Sequence, residues 1–99
     1  MKPKQTYKHA GNTFELFKAG RLKDAKSGKQ RWKVIYRAKE EENVEVMVLY
    51  ESTPHPVYNP DGDNYLANPS SEAWGRLGWS FRDLAAAENK YNLIKDEEE

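Results

Sequence analysis

Residues 57–66, VYNPDGDNYL, crowd Asn59, Asp61, Asp63 and Asn64 into six positions, and oxygen ligands at alternate positions are what a calcium loop needs. Such a loop also requires a glycine at its sixth position and a bidentate glutamate at its twelfth. Counted from Asn59, the sixth residue is Asn64 and the twelfth is Ser70, so the pattern fails and no metal is implied. Turn chemistry accounts for the same residues. Pro60 presets φ, Asp61 tolerates the next position and Gly62 supplies a left-handed residue. The stretch is expected to be a hairpin joining a strand near Val57 and Tyr58 to one near Tyr65 and Leu66.

The two histidines, His9 and His55, could in principle act as general acid and base, or bind zinc together with Asp61 or Asp63. They are expected on separate strands, with His55 held extended between Pro54 and Pro56 and its imidazole turned outward. No nucleophile and base stand at a recognisable spacing, and Gly75 and Gly78 lack the strand, loop and helix context of a phosphate loop. The chain therefore reads as non-catalytic, with no catalytic residue, no metal and no cofactor assigned.

Two surfaces remain as binding candidates. In EAWGRLGWSF, Trp74 and Trp79 flank Arg76, and aromatic faces with a guanidinium can stack a base or hold a phosphate or carboxylate. The stronger competing reading makes both tryptophans core rings, with the glycines permitting close backbone approach at a barrel corner. Around the KSGK turn, Arg21, Lys23, Lys26, Lys29, Arg31 and Lys33 surround Trp32 in an expected projecting hairpin over residues 20–33. Cations for phosphates and a ring for bases are the ingredients of a nucleic-acid surface. Ordinary solvation of exposed strand faces would place lysines there too.

Charge is unevenly spread along the 99 residues. Residues 1–39 hold twelve Lys and Arg against Glu15 and Asp24, whereas residues 40–99 hold four against fourteen acids, so a formal net charge of zero conceals a sequence dipole. Antiparallel neighbours could cancel much of that field. With no cysteine there is no disulfide framework, and no stretch approaches bilayer-spanning length, which together predict a cytoplasmic protein without a membrane partner.

The elements that must carry these residues are mostly strands. Trp32, Val34, Tyr36 and Ala38 alternate with Lys33, Ile35 and Arg37, and Val44, Val46, Val48 and Tyr50 alternate with Glu45, Met47 and Leu49. KEEEN links the two runs. Ile35, Met47 and Leu49 imply that the second face is also covered at its centre, as in a barrel or roll. Phe14 and Leu16 mark an earlier strand after the Gly11-Asn12 turn. Ser80 with Asp83 resembles a capping box, and LAAAE follows it, which predicts a helix over residues 81–91. Phe81, Leu84, Ala85, Tyr91 and Ile94 are its apolar positions, suited to capping an open end or edge of the sheet.

YKHAGNTFEL at residues 7–16, VIYR at 34–37 and WGRLGWSF at 74–81 together resemble a small bacterial and phage domain of unknown function. Its pattern is a Tyr-x-His-x-x-Gly-x-x-Tyr-Glu-Val strand, a Val-Val-Tyr-Arg strand and a Trp-x-Arg-Pro-x-x-x-Phe ending; VEVMVLYES is an alternative match to the central strand. Leu77 stands where the pattern has proline. The resemblance implies an SH3-like barrel of prokaryotic or viral origin and transfers no activity.

The expectation is thus a mainly β fold, a small SH3-like barrel or rolled antiparallel sheet with one C-terminal helix, as one domain over residues 1–95 and a solvated acidic tail over 96–99. Its expected role is that of a binding module. Nucleic acid is the first partner; the alternative is a phage or mobile-element factor that binds or inhibits a host protein. A third reading is sequestration of a small nucleotide by Trp74, Arg76 and Trp79. The oligomeric state has no sequence signal.

Overall fold

The computed structural model describes residues 1–96. Among them run β1 (Thr6–His9), β2 (Asn12–Leu22), β3 (Arg31–Ala38), β4 (Val44–Ser52), β5 (Tyr65–Ala67), a 3-10 turn (Ser71–Ala73), β6 (Gly78–Phe81) and α1 (Leu84–Leu93). The strands pair antiparallel in the order β1-β2-β3-β4-β5, with β6 also on β4, and the sheet curls into a half-barrel. Both β6 and β5 lie on the edge of β4 away from β3. The first pairs Val44 to Met47 and the second pairs Tyr50 to Ser52.

Local chemistry explains most of the connections. Ala10 and Gly11, both at positive φ (51° and 82°), close the two-residue turn between β1 and β2. β1, which alternation alone does not mark, is fixed by its pairing from Thr6↔Glu15 to His9↔Asn12. The register of β2 on β3 shifts between Leu16 and Lys18, so a bulge sits at Phe17. A bulge adds bend and twist to its strand. The β2–β3 loop turns at Gly28 (φ 87°), whose N–H donates to the Ala25 carbonyl at 2.8 Å.

The sheet is apolar on both faces, and β4 decides how. Val34 pairs with Met47 and Trp32 with Leu49, so Met47 and Leu49 share a face with Trp32, Val34 and Tyr36. Phe14, Val34, Tyr36, Met47 and Leu49 form the core there, with Tyr7 stacked on Phe14 at 4.9 Å between ring centroids. Val44 and Val46 instead share the opposite face with Ile35, and α1 covers it through Ala87 and Tyr91, joined by Trp79, Phe81, Leu84 and Ile94. Two covered faces explain why β4 is buried from Val44 through Leu49.

Four expectations require correction. The helix begins later than residue 81, because Asp83 is the N-cap, its carboxylate accepting from the Ala85 N–H at 3.1 Å, while Ser80 and Phe81 belong to β6. It lies across a sheet face, not over an end or edge, and Ala85 is exposed. No strand forms at Val57 and Tyr58, which are 75% and 86% exposed in the loop between β4 and β5. That loop turns where expected, the Gly62 N–H donating to the Asn59 carbonyl at 3.1 Å, yet Gly62 is not among the positive-φ residues.

The C-terminal acidic run also divides. Asp96 accepts from the Lys23 N–H through its side chain at 2.7 Å, which ties the segment after α1 to the β2–β3 loop. Residues 97–99, the rest of the expected solvated tail, lie outside the described residues.

Candidate functional site

Trp79 and Trp74 point to opposite sides of the sheet. Trp79 pairs with Val46 on β4 and packs into the helix-side core, its indole N–H donating to the Gly75 carbonyl at 3.0 Å. Between them the chain makes a tight turn: Gly75, at φ 93°, donates to the Gly78 carbonyl at 2.7 Å. Trp74 folds back over Gly78 on the other face, where a Cβ would overlap its ring. Glycine at position 78 is therefore required for close approach. The three residues expected to form one ligand site separate: Arg76 and Trp79 line one cleft, and Trp74 lines another.

The first cleft, about 460 Å³, opens between β4, the turn before β6 and the C-terminal half of α1. Four cations line it, Arg31, Arg76, Lys90 and Lys95, together with Tyr50 and Trp79. No carboxylate lines it among the described residues. Arg31 is 4% exposed and donates through Nη1 to the carbonyls of Lys23 at 3.2 Å and Asp96 at 3.0 Å, while its Nε has no hydrogen-bond partner among the described residues. The guanidinium lies 5.3 Å from the Tyr50 ring centroid, and the Lys90 ammonium 4.2 Å from that of Trp79. Both rings thus carry a cation on a face.

The hairpin residues singled out as a nucleic-acid surface divide as well. Arg21 and Trp32 pair on the face away from the helix, with the Arg21 guanidinium 5.8 Å from the Trp32 ring and ion-paired to Asp24. Trp32 is half-buried against the core and donates to Gln30 Oε1 at 3.3 Å. Lys33 is on the helix side, its ammonium 4.3 Å from the Tyr91 ring and donating to the Tyr91 carbonyl at 3.1 Å, which pins α1 to the sheet. Lys18 approaches the same ring at 4.9 Å. Lys23, Lys26 and Lys29 belong to the loop between β2 and β3, and Arg31 joins that loop to the cleft through the Lys23 carbonyl.

The second cleft, about 580 Å³, lies on the opposite face and includes Tyr7, His9, Asn43, Glu45, Asn68 and Trp74. Glu45 is 8% exposed, and its Oε1 accepts from the Tyr7 hydroxyl at 2.6 Å. Burial first, then the bond to that carboxylate, pushes the Tyr7 hydroxyl far above the ordinary tyrosine value. Sequence reasoning missed Tyr7 and Glu45 because their meeting depends on the curl that brings β1 over β4. It missed Lys90 and Lys95 because nothing local marks which side of α1, or of the segment after it, faces a cleft.

His55 is turned back on its own loop: Nδ1 accepts from the Val57 and Tyr58 N–H groups at 3.1 and 3.2 Å, and the ring packs on Tyr58. It belongs to a loop, not to a strand as expected, and its imidazole, although exposed, serves the backbone of that loop. Among the described residues no group of three His, Cys, Asp or Glu could hold a metal ion, and no helix is long and apolar enough to cross a membrane. Comparison with protein families, curated proteins and solved structures finds no match to the chain.

Proposed function

We propose that the protein is a non-catalytic module that binds nucleic acid through the phosphate backbone, in the cleft between β6 and α1. The carrying observation is that Arg31, Arg76, Lys90 and Lys95 line one cleft and that no carboxylate lines it among the described residues, Asp96 turning its carboxylate to the Lys23 N–H. Guanidinium and ammonium groups gathered in one groove suit a polyanion, and each phosphate neutralised releases condensed counterions. The rings favour this form of binding over base stacking. With Lys90 on Trp79 and Arg31 on Tyr50, the aromatic faces position cations, so phosphates are held and base identity is read weakly.

The loop that carries Lys23, Lys26 and Lys29 is joined to the cleft by the bond from Arg31 to the Lys23 carbonyl. A strand lying in the cleft would run toward it. The small-nucleotide reading is less well supported because Trp74 is on the other face from Arg76 and Trp79.

Anisotropy of a labelled oligonucleotide, single- and double-stranded, titrated at several salt concentrations tests the proposal. Binding at low salt with little sequence preference and a steep loss as salt rises is expected. Absence of binding to either form at low salt would overturn it.

A further inference from the structure

We infer that the second cleft, on the sheet face away from the helix, is a recognition site for an organic cation, a guanidinium or primary ammonium group. It stands independently of the nucleic-acid reading, on different residues and an opposite charge. Its centre is the carboxylate of Glu45, a residue 8% exposed. A buried charge is costly unless paired. Among the described residues Glu45 has no cationic partner and accepts a single hydrogen bond, from Tyr7, at one of its two oxygens. The carboxylate nevertheless lines an open cleft of about 580 Å³ rather than a closed core.

Among the described residues no lysine or arginine lines this cleft; His9 does, and Asn43, Asn68 and Ser80 bring further oxygens that can accept from N–H donors. Trp74 supplies the aromatic wall: part of its ring covers Gly78, and the residue stays 38% exposed. An indole face beside a carboxylate is favourable to a guanidinium or alkylammonium group, through cation–π attraction and a charge-assisted hydrogen bond. The bond from Tyr7 to Oε1 holds the carboxylate in place and leaves Oε2 as the acceptor for the ligand.

The test is an NMR titration that follows the Trp74 indole N–H signal, identified with Trp74→Phe. The probes are N-acetyl-arginine amide, N-acetyl-lysine amide, the neutral N-acetyl-norleucine amide and a pentapeptide with one central arginine. A saturable shift with the cationic probes and none with norleucine is expected, weakened at least tenfold in Glu45→Gln. Ser71→Lys, at the exposed rim of the cleft, places a competing ammonium there and is expected to abolish the shift. Tighter binding of the pentapeptide than of the capped arginine assigns the cation to a polypeptide; equal binding assigns it to a small molecule, and either upholds the site. An equal shift by norleucine, no saturable shift with any cation, or wild-type binding by a folded Glu45→Gln would overturn it. Should Glu45→Gln fail to fold, unchanged binding by Ser71→Lys overturns it alone.

Discussion

The buried guanidinium of Arg31, at the start of β3, donates to the main-chain carbonyl of Asp96, 65 residues away, at 3.0 Å. The same Nη1 reaches the Lys23 carbonyl at 3.2 Å, so one side chain joins the end of β2, the start of β3 and the segment after α1. Asp96 is also held by the Lys23 N–H. A hydrogen bond to a charged group contributes about 1.5–3 kcal/mol, and a carbonyl left without a partner loses more than the bond itself. Arg31→Met should therefore destabilise the fold by roughly 2–4 kcal/mol in urea unfolding. Amide exchange at Lys23 should quicken in the same variant, because its acceptor is no longer held in place.

Glycines 28 and 62 both occupy turns but should respond differently to a methyl group. Gly28 has φ 87° with nothing within 4 Å of an added Cβ, so its constraint is conformational, and Gly28→Ala should cost about 1 kcal/mol. At Gly62 φ is not positive, and the added Cβ would meet the Asn59 side chain. That side chain is exposed and can turn away. Gly62→Ala should consequently cost less than about 0.5 kcal/mol, as for an ordinary surface substitution. Equal losses at the two positions in thermal or urea unfolding would contradict this assignment.

The difference between those glycines shows where sequence reading succeeds and where it stops. The period-2 pattern of residues 32–38 and 44–50 identifies β3 and β4 because both strands are long and lie at the centre of the sheet. Alternation could not show which face of β4 joins Trp32, since both of its faces are apolar; the pairing of Trp32 with Leu49 answers that. β5 has three residues and β6 four, too short for a pattern to emerge. The presence of Arg76 and Lys90 in one cleft, and the separation of Trp74 from Trp79, follow from the Gly75 turn, whose positive φ a glycine permits but does not dictate, and from the long-range packing of α1. Residues 59–62 are legible as a turn, but its type depends on a φ angle that Gly, tolerating both signs, leaves open.

Tyr36 lends the fold a dependence on alkaline pH. Its hydroxyl donates to the Lys4 carbonyl at 2.7 Å, and burial pushes its pKa up from 10.0 to about 12. The unfolded chain, with the lower value, releases this proton first, so the contribution is fully present below pH 10 and is lost as pH rises toward about 12. Within that window stability should fall by up to about 1.4 kcal/mol per pH unit for this residue. Tyr7, also raised by burial, acts in the same direction. Tyr36→Phe should flatten the slope by one proton's worth between those pH values, while lowering stability at neutral pH through loss of the bond to Lys4. An unchanged slope in urea unfolding at successive pH values would show that Tyr36 does not titrate in this range.

Two pairs of charge reversals separate the cleft from the loop as the seat of polyanion binding. Arg76 and Lys90 line the cleft, whereas Lys26 and Lys29 belong to the loop beyond Arg31. Each phosphate contact contributes about 0.7–0.9 to the slope of log affinity against log salt. If strands lie in the cleft, Arg76→Glu with Lys90→Glu should reduce that slope by about 1.5 or more and weaken binding to all sequences alike. Lys26→Glu with Lys29→Glu should do the same to a smaller degree, since neither lysine lines the cleft. Loss of the Lys90 contact removes a cation from the Trp79 ring, a change worth about 0.5–1 kcal/mol where exposed, so the fold should persist. A larger effect from the loop pair than from the cleft pair would move the nucleic acid out of the cleft and onto the hairpin. No effect from either would show that neither surface holds the phosphates.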